Sequence, residues 1–218
     1  IFALLLIGYS FVTKSLQKRQ ILIILFSAYF YYKASGIFLL LLLATISIDY
    51  VFSIFIERQQ NAFKRKVLLF FGISFSLSFL LYFIYKNFFL ENTSFLFGTN
   101  YSVEALILPI GISFYTFQSI SYLVDIHKLK VKRPAFTNYL MYMLFFPHLV
   151  AGPIVRAKDF LPQLTKKFSL KKSNVNEALF LITKGLIKKA VFADFIAQYS
   201  DIVFSAPEGF SGTEHVLA

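Results

Sequence analysis

Residues 105–127 read ALILPIGISFYTFQSISYLVDIH, and this stretch decides what kind of fold the chain can form. It is long and apolar enough to cross a bilayer, which takes about 20 residues, with Asp125 near its end. Yet Gly111, Tyr115, Gln118, Tyr122 and Asp125 follow one another at spacings of four, three, four and three. Those spacings put one small and four polar residues on a single helical face. Desolvating an amide or hydroxyl without a partner costs roughly 2–7 kcal/mol, so the stripe must face protein or water. Two readings follow. Either the stripe lines a polar path through a helical bundle, or Gln118 and the tyrosines bond neighbouring helices as packing glue. Pro109, near one end, either kinks the helix or occupies its first turn.

Upstream lie more runs of the same kind. Residues 37–56 carry one charge, Asp49, and residues 67–85 carry none; residues 21–32 are short but too apolar to leave in water. The connectors between these runs give the orientation. Three basic residues fall in 14–20 (Lys14, Lys18, Arg19), four in 57–66 (Arg58, Lys64, Arg65, Lys66) and four in 127–136 (Lys128, Lys130, Lys132, Arg133). The alternate connectors hold one each, Lys33 and Lys86. By the positive-inside rule the three basic connectors are cytoplasmic, which leaves 86–104 as the sizeable outer loop. Its two glycosylation sequons, at Asn92 and Asn100, are read as chance matches. Asp49 stands past the middle of its run, where a lone carboxylate is costly. It is either protonated or paired with a serine or tyrosine from another helix.

Downstream the charge rule breaks, and the break is informative. Residues 138–155 are apolar enough to cross, yet 156–176 hold six further cations: Arg156, Lys158, Lys166, Lys167, Lys171 and Lys172. Pro147, Gly152 and Pro153 interrupt helical hydrogen bonding in the same run. Freed backbone groups at membrane depth survive only inside protein or beside a water-filled cavity. The segment is therefore expected to be broken and re-entrant, returning to the cytoplasmic side, in preference to a true span. His148, at the break, either binds substrate or acts as a base, or makes a structural hydrogen bond. In 177–204 a stripe of Glu177, Lys184, Lys188, Asp194, Gln198 and Asp201 covers about 140° of a regular helical wheel, with Lys189 off it. Such a helix lies along the interface or lines a hydrated cleft.

Composition sets the outer bounds. Of 218 residues, 57% are hydrophobic and 15% charged, against about 25% charged in soluble domains. Twenty-two Lys and Arg against 11 Asp and Glu leave +11, but the cations sit in short clusters between apolar runs. No basic face is left for phosphodiesters, which excludes a soluble nucleic-acid domain; a chain this apolar is not disordered either. The absence of cysteine removes disulfides, thiolate metal sites and cysteine nucleophiles. There is no phosphate loop, nucleophile elbow or metal-spaced cluster. The opening run 1–12 has its cations after it, the wrong order for a signal peptide, and is read as the end of a span begun upstream. The chain is accordingly expected to be a piece of a longer protein. The fold class is all-α: a polytopic membrane protein with broken segments, residues 1–218 forming the N-terminal part of one embedded domain.

Two strings, LPIGISFYTFQSISYLVD at 108–125 and FFPHLVAGPIVRAKDFLPQL at 145–164, closely resemble the membrane-bound O-acyltransferase family. The likeness is to the bacterial branch of alginate O-acetyltransferase and its peptidoglycan-acetylating and teichoic-acid-alanylating relatives. YKNFF at 85–89 and GLIKKAVFADFIA at 185–197 are similar to that family's aromatic stretch and basic helix. The resemblance implies a ring of helices around a thinned centre, crossed by a tunnel. An acyl thioester, on a CoA-type carrier or acyl carrier protein, would arrive from the cytoplasmic side as cosubstrate, with no bound cofactor or metal. Its acyl group would pass to hydroxyls of an extracytoplasmic polysaccharide, with accessory acetylation proteins outside a bacterial inner membrane. The cationic inner face fits an anionic donor, and it equally fits ordinary topology with anionic-lipid contact.

The family's catalytic histidine is expected beyond Ala218, so no catalytic residue is assigned. Tunnel walls and donor entrance are assigned to Tyr115, Gln118, Tyr122 and Asp125, and to Pro147, His148, Gly152, Pro153 and Arg156. Arg156 would clamp a donor phosphate or carbonyl, or else is a cation at the membrane edge. Position 148 is more often Gln in this branch, so no role is carried to His148. The polar stripe and broken segment alone also admit a transporter or a polysaccharide export channel component.

Overall fold

The computed structural model describes residues 16–97, 108–149, 152–164 and 172–217. All regular structure within them is helical, and the chain divides into two compact units, 1–166 and 167–218. The opening run 1–12, Lys14, the Asn100 sequon, residues 105–107, 150–151, Lys166, Lys167 and Lys171 lie outside the described residues.

The first unit contains α1 (Leu16–Ser35), α2 (Phe38–Arg58), α3 (Ala62–Phe97), α4 (Ile112–His127), α5 (Phe136–Leu144), the single turn α6 (Phe146–Leu149) and α7 (Ala157–Leu164). Among the described residues, α2 and the Ala62–Leu90 part of α3 are long and apolar enough to cross a membrane. α2 stops where Gln59 turns extended. Asn61 then starts α3, its Oδ1 accepting the Phe63 and Lys64 N–H groups at 3.0 and 3.1 Å, as an N-cap should. α2, α3 and α4 pack on one another, and α5 lies against α1 and α2. Leu42, Ile46, Ile56, Tyr122, Leu123, Tyr139 and Tyr142 form the buried centre.

The two ends of this unit differ in charge. At one, Gln20 Nε2 donates to Asn138 Oδ1 at 3.0 Å, Arg65 Nη2 to the Ile126 carbonyl at 2.9 Å, and Arg133 pairs with Glu57 at 2.8 Å. The start of α1 and the connectors 57–66 and 127–136 therefore share an end. At the other, Tyr31 Oη donates to the Ile110 carbonyl at 3.0 Å and the Ile110 N–H donates to Ser35 Oγ at 2.9 Å. Connectors 33–37 and 108–111 meet there.

Several helix boundaries differ from the sequence reading. The helix expected over 105–126 begins at Ile112 and has 16 residues, about 24 Å of rise, short of a bilayer core of about 30 Å. Pro109 neither kinks it nor occupies its first turn; it precedes the helix, its carbonyl accepting the Ile112 N–H at 3.2 Å. α1 extends well past 21–32 at both ends. α3 runs on to Phe97, so Lys86, YKNFF and Asn92 are helical where an outer loop was expected. Asn92 Nδ2 bonds back to the Phe88 carbonyl at 2.7 Å. The broken segment is broken as expected: α5 ends at Leu144, one turn follows, and the chain runs without regular structure from Gly152 to Arg156 before α7.

The second unit is α8 (Lys172–Ile187), a π-helical stretch (Lys188–Ala193), α9 (Asp194–Ser205), a 3₁₀ turn (Pro207–Gly209) and α10 (Gly212–Leu217). The π stretch overturns the regular wheel used for 177–204. Its wider turns rotate the residues after it relative to those before, so Asp194, Gln198 and Asp201 do not continue the line of Glu177, Lys184 and Lys188. Lys189, expected off the stripe, ion-pairs with Asp194.

Candidate functional site

The polar stripe of α4 is buried throughout: Tyr115, Gln118, Tyr122 and Asp125 expose 5% or less. Gly111 caps the start of the helix, and its φ of 74° is left-handed and favours glycine. A Cβ built there would stand 2.2 Å from the Leu149 carbonyl oxygen. The head of α4 is thus in direct contact with the single turn α6, and the stripe and the break belong to one region.

Why the break is tolerated is a matter of hydrogen-bond accounting. In a continuous helix the Phe146 N–H would serve the Tyr142 carbonyl. It instead reaches Ser27 Oγ on α1, at 3.4 Å. Gln118 Nε2 supplies the missing donor to the Tyr142 carbonyl at 3.0 Å. The Tyr142 hydroxyl in turn donates to the Val155 carbonyl at 2.7 Å, across the break. One side chain from α4 and one from α5 therefore hold both limbs of the broken segment. On the far side, the Arg156 carbonyl accepts the Asp159 and Phe160 N–H groups at 3.0 and 3.1 Å and starts α7.

The break itself is compact. A Cβ on Gly152 would lie 2.6 Å from His148 Cα and 2.8 Å from the Pro147 carbonyl oxygen, so only glycine lets the chain fold back there. The His148 ring is half-buried and meets the rings of Phe145 and Phe160 edge-on at 4.9 and 5.6 Å. Pro147, Pro153 and Arg156 are exposed. Pro147, His148 and Gly152 thus cluster beside the head of the stripe, with Pro153 next in the chain. Arg156 stands on the C-terminal side of the break, one residue beyond the Val155 anchor. Along α4, Tyr122 Oη donates to Ser53 Oγ at 3.1 Å, and its ring lies 4.3 Å from that of Tyr139. Asp125 sits two turns past Gln118, toward the cationic end. The Tyr115 hydroxyl, Asp125 Oδ2 and His148 Nδ1 are buried without a hydrogen-bond partner, which is uncommon in a folded interior and asks for an explanation.

Asp49 has the kind of partner the sequence allowed. It accepts from Ser76 Oγ at 2.9 Å and from Ser119 Oγ at 2.5 Å, serines on α3 and α4. One carboxyl group thereby joins three helices. The residues that sequence reasoning missed are Tyr142 and Ser27. Both act on groups freed by the break, so a search for polar side chains within reach of an interrupted helix could have found Tyr142. Ser27 carries no such signal in the linear sequence.

Comparison with known proteins agrees on a single family. The family model described as MBOAT, membrane-bound O-acyltransferase, matches residues 24–211. A peptidoglycan O-acetyltransferase of Helicobacter pylori is 31% identical over 97% of this chain and 46% of its own length. A probable alginate O-acetylase, AlgI, of Pseudomonas aeruginosa is 30% identical over 90% of this chain and 39% of its own. The corresponding Pseudomonas putida protein is 35% identical over 65% and 30%. The chain spans less than half the length of these relatives. No solved structure matches it. With the match reaching across both the striped helix and the broken segment, the chain belongs to the membrane-bound O-acyltransferase family, in its alginate O-acetylase-like branch, and is a membrane protein.

Proposed function

We propose that this chain forms part of a polytopic, inner-membrane O-acyltransferase. It takes an acyl group, acetyl by the names of its relatives, from a cytoplasmic thioester to hydroxyls of an exported polysaccharide. The observation that carries this reading is the broken segment lodged against a buried polar helix face, with Tyr115 Oη, Asp125 Oδ2 and His148 Nδ1 left unpartnered beside it. Groups so placed suit a passage in which water or substrate completes their hydrogen bonds.

In this reading Tyr115, Gln118, Tyr122 and Asp125 wall the passage. Pro147, His148, Gly152 and Pro153, at the deep tip of the re-entrant segment beside the head of α4, shape its inner stretch, and exposed Arg156, on the returning limb, meets a phosphate or carbonyl of the donor. Residues 138–155 enter the membrane and return to the cytoplasmic side. The cationic connectors raise the local concentration of an anionic donor, a CoA-type thioester or an acyl carrier protein. An imidazole, expected past Ala218, takes the proton of the acceptor hydroxyl as its oxygen attacks the thioester carbonyl. The C–S bond breaks, the acyl group stays on the acceptor oxygen, and the departing thiolate collects the proton. Accessory proteins outside receive or present the polymer.

The test uses the complete protein in proteoliposomes with acetyl thioester and polysaccharide. Gln118→Leu and Arg156→Ala should lower transfer at least tenfold while membrane abundance falls less than twofold. Equal loss of both would make them packing residues, and polymer uptake without thioester turnover would favour a transporter.

A further inference from the structure

Two connectors far apart in sequence, 57–66 and 127–136, form one surface, held by the Arg65–Ile126 hydrogen bond and the Glu57–Arg133 ion pair. Glu57 is the sole acid in either connector, and Arg133 neutralises it. Six exposed cations remain: Arg58, Lys64, Lys66, Lys128, Lys130 and Lys132. Burial, aided by Arg65, Lys66 and Lys128 nearby, holds the His127 imidazole below its ordinary range, consistent with a positive potential over the surface.

Set among these cations are two apolar side chains turned outward, Phe63 at 75% and Leu129 at 73% exposure. Leu129 is the more telling. It has a φ of 55°, a left-handed conformation that penalises any residue with a Cβ. It closes the end of α4, its N–H donating to the Ile126 carbonyl at 3.1 Å and the next N–H, of Lys130, to the Asp125 carbonyl at 2.9 Å. Glycine is the usual residue at such a cap. A strained leucine that leaves its side chain in the open does not repay the strain within the unit itself, and strain of this kind points to a task outside it.

We infer that this surface docks on anionic phospholipid headgroups at its end of the bundle. Leu129 and Phe63 insert below the phosphates, and Lys128, Lys130 and Lys132 pair with them. Cations interleaved with exposed apolar tips are the chemistry of an anionic bilayer interface. A soluble phosphate donor would use the cations and leave the apolar tips without a function, so the lipid is the occupant that accounts for both.

The experiment places a single cysteine at Leu129, or at exposed Gln60 on the same surface as a reference, in the complete protein with any cysteine outside these 218 residues replaced by serine. Each is reacted with a water-soluble maleimide in nanodiscs of phosphatidylcholine, with or without phosphatidylglycerol. Phosphatidylglycerol should slow Leu129→Cys at least tenfold relative to Gln60→Cys at low salt. High salt, or Lys128→Gln with Lys130→Gln and Lys132→Gln, should remove the difference, and inorganic pyrophosphate in phosphatidylcholine discs should not reproduce it. Equal rates in the two lipids, whether fast from open water or slow from cover by another part of the protein, would overturn the inference; so would protection by pyrophosphate alone. As a second measurement, Leu129→Gly should melt no lower than the parent in phosphatidylcholine, yet lose the rise in melting midpoint that phosphatidylglycerol gives. A variant that melts lower and keeps that rise would make Leu129 a packing residue.

Discussion

Gly111 and Leu149 are in backbone contact: the position a Cβ would occupy on the glycine is 2.2 Å from the leucine carbonyl oxygen. The residue that caps the striped helix and the last described residue of the short turn are therefore fixed to each other without any side chain. Whatever the region does, its geometry depends on that approach.

Gly111→Ala should accordingly be among the most damaging small substitutions in the first unit. The left-handed φ alone costs an alanine about 1–2 kcal/mol, and the clash with Leu149 adds to it. A clear fall in melting midpoint in detergent is expected, whereas Gly185→Ala, where a Cβ would meet nothing within 4 Å, should be neutral or stabilising. Similar midpoints for the two variants would show that the approach is relaxed in solution.

Gln118 and Tyr142 act on the same break. Gln118→Leu strands the Tyr142 carbonyl, and Tyr142→Phe strands that of Val155; each should cost about 1–3 kcal/mol of stability. Because both losses free the same segment, the double variant should cost less than the sum of the singles. Simple additivity in a thermal-melting cycle would argue that the two bonds hold independent pieces of the fold.

Asp49 tests whether a carboxyl group is needed at the junction of α2, α3 and α4. Asn keeps the size, its oxygen accepting from one serine while its amide N–H donates to the hydroxyl oxygen of the other, so Asp49→Asn should shift the melting midpoint little. Asp49→Leu leaves both hydroxyls to find other partners and should cost about 1–3 kcal/mol. If the leucine variant proved as stable as the asparagine one, the two serine bonds would contribute nothing net.

His127 gives a pH dependence whose sign can be worked out. Its imidazole is held below the ordinary value of about 6.5 by burial and by the neighbouring cations. Between the lowered and ordinary values the unfolded chain binds the proton and the folded chain does not. Stability therefore falls as pH drops through that window. In His127→Gln, midpoints measured from neutral to mildly acidic pH should follow a flatter curve; an unchanged slope would assign the effect to other groups.

Much of this architecture followed from local pattern. The period of the polar residues on α4 placed Tyr115, Gln118, Tyr122 and Asp125 on one buried face, and the loop charges paired 57–66 with 127–136. Pro147, Gly152 and Pro153 marked the break because each alters the backbone itself. What escaped was set by partners distant in sequence. Nothing near Gly111 announces that Leu149 will lie across it. The length of α3 beyond Lys86 was missed because one lysine and an asparagine read as loop, although both are tolerated in a helix. The π stretch was invisible to a wheel that assumes a constant turn.

That stretch, Lys188–Ala193, is what an α-helix becomes when it holds one residue too many for its register. Deleting a single residue there would let ordinary i to i+4 bonding resume. The later side chains of α9 would nevertheless keep their direction, because five residues at about 100° each turn the helix about as far as six do in the wider stretch; only a regular helix that kept all six would swing them by about 100°. The direction in which Asp194, Gln198 and Asp201 point is thus set by how the stretch winds and not by the chemistry of any one of them.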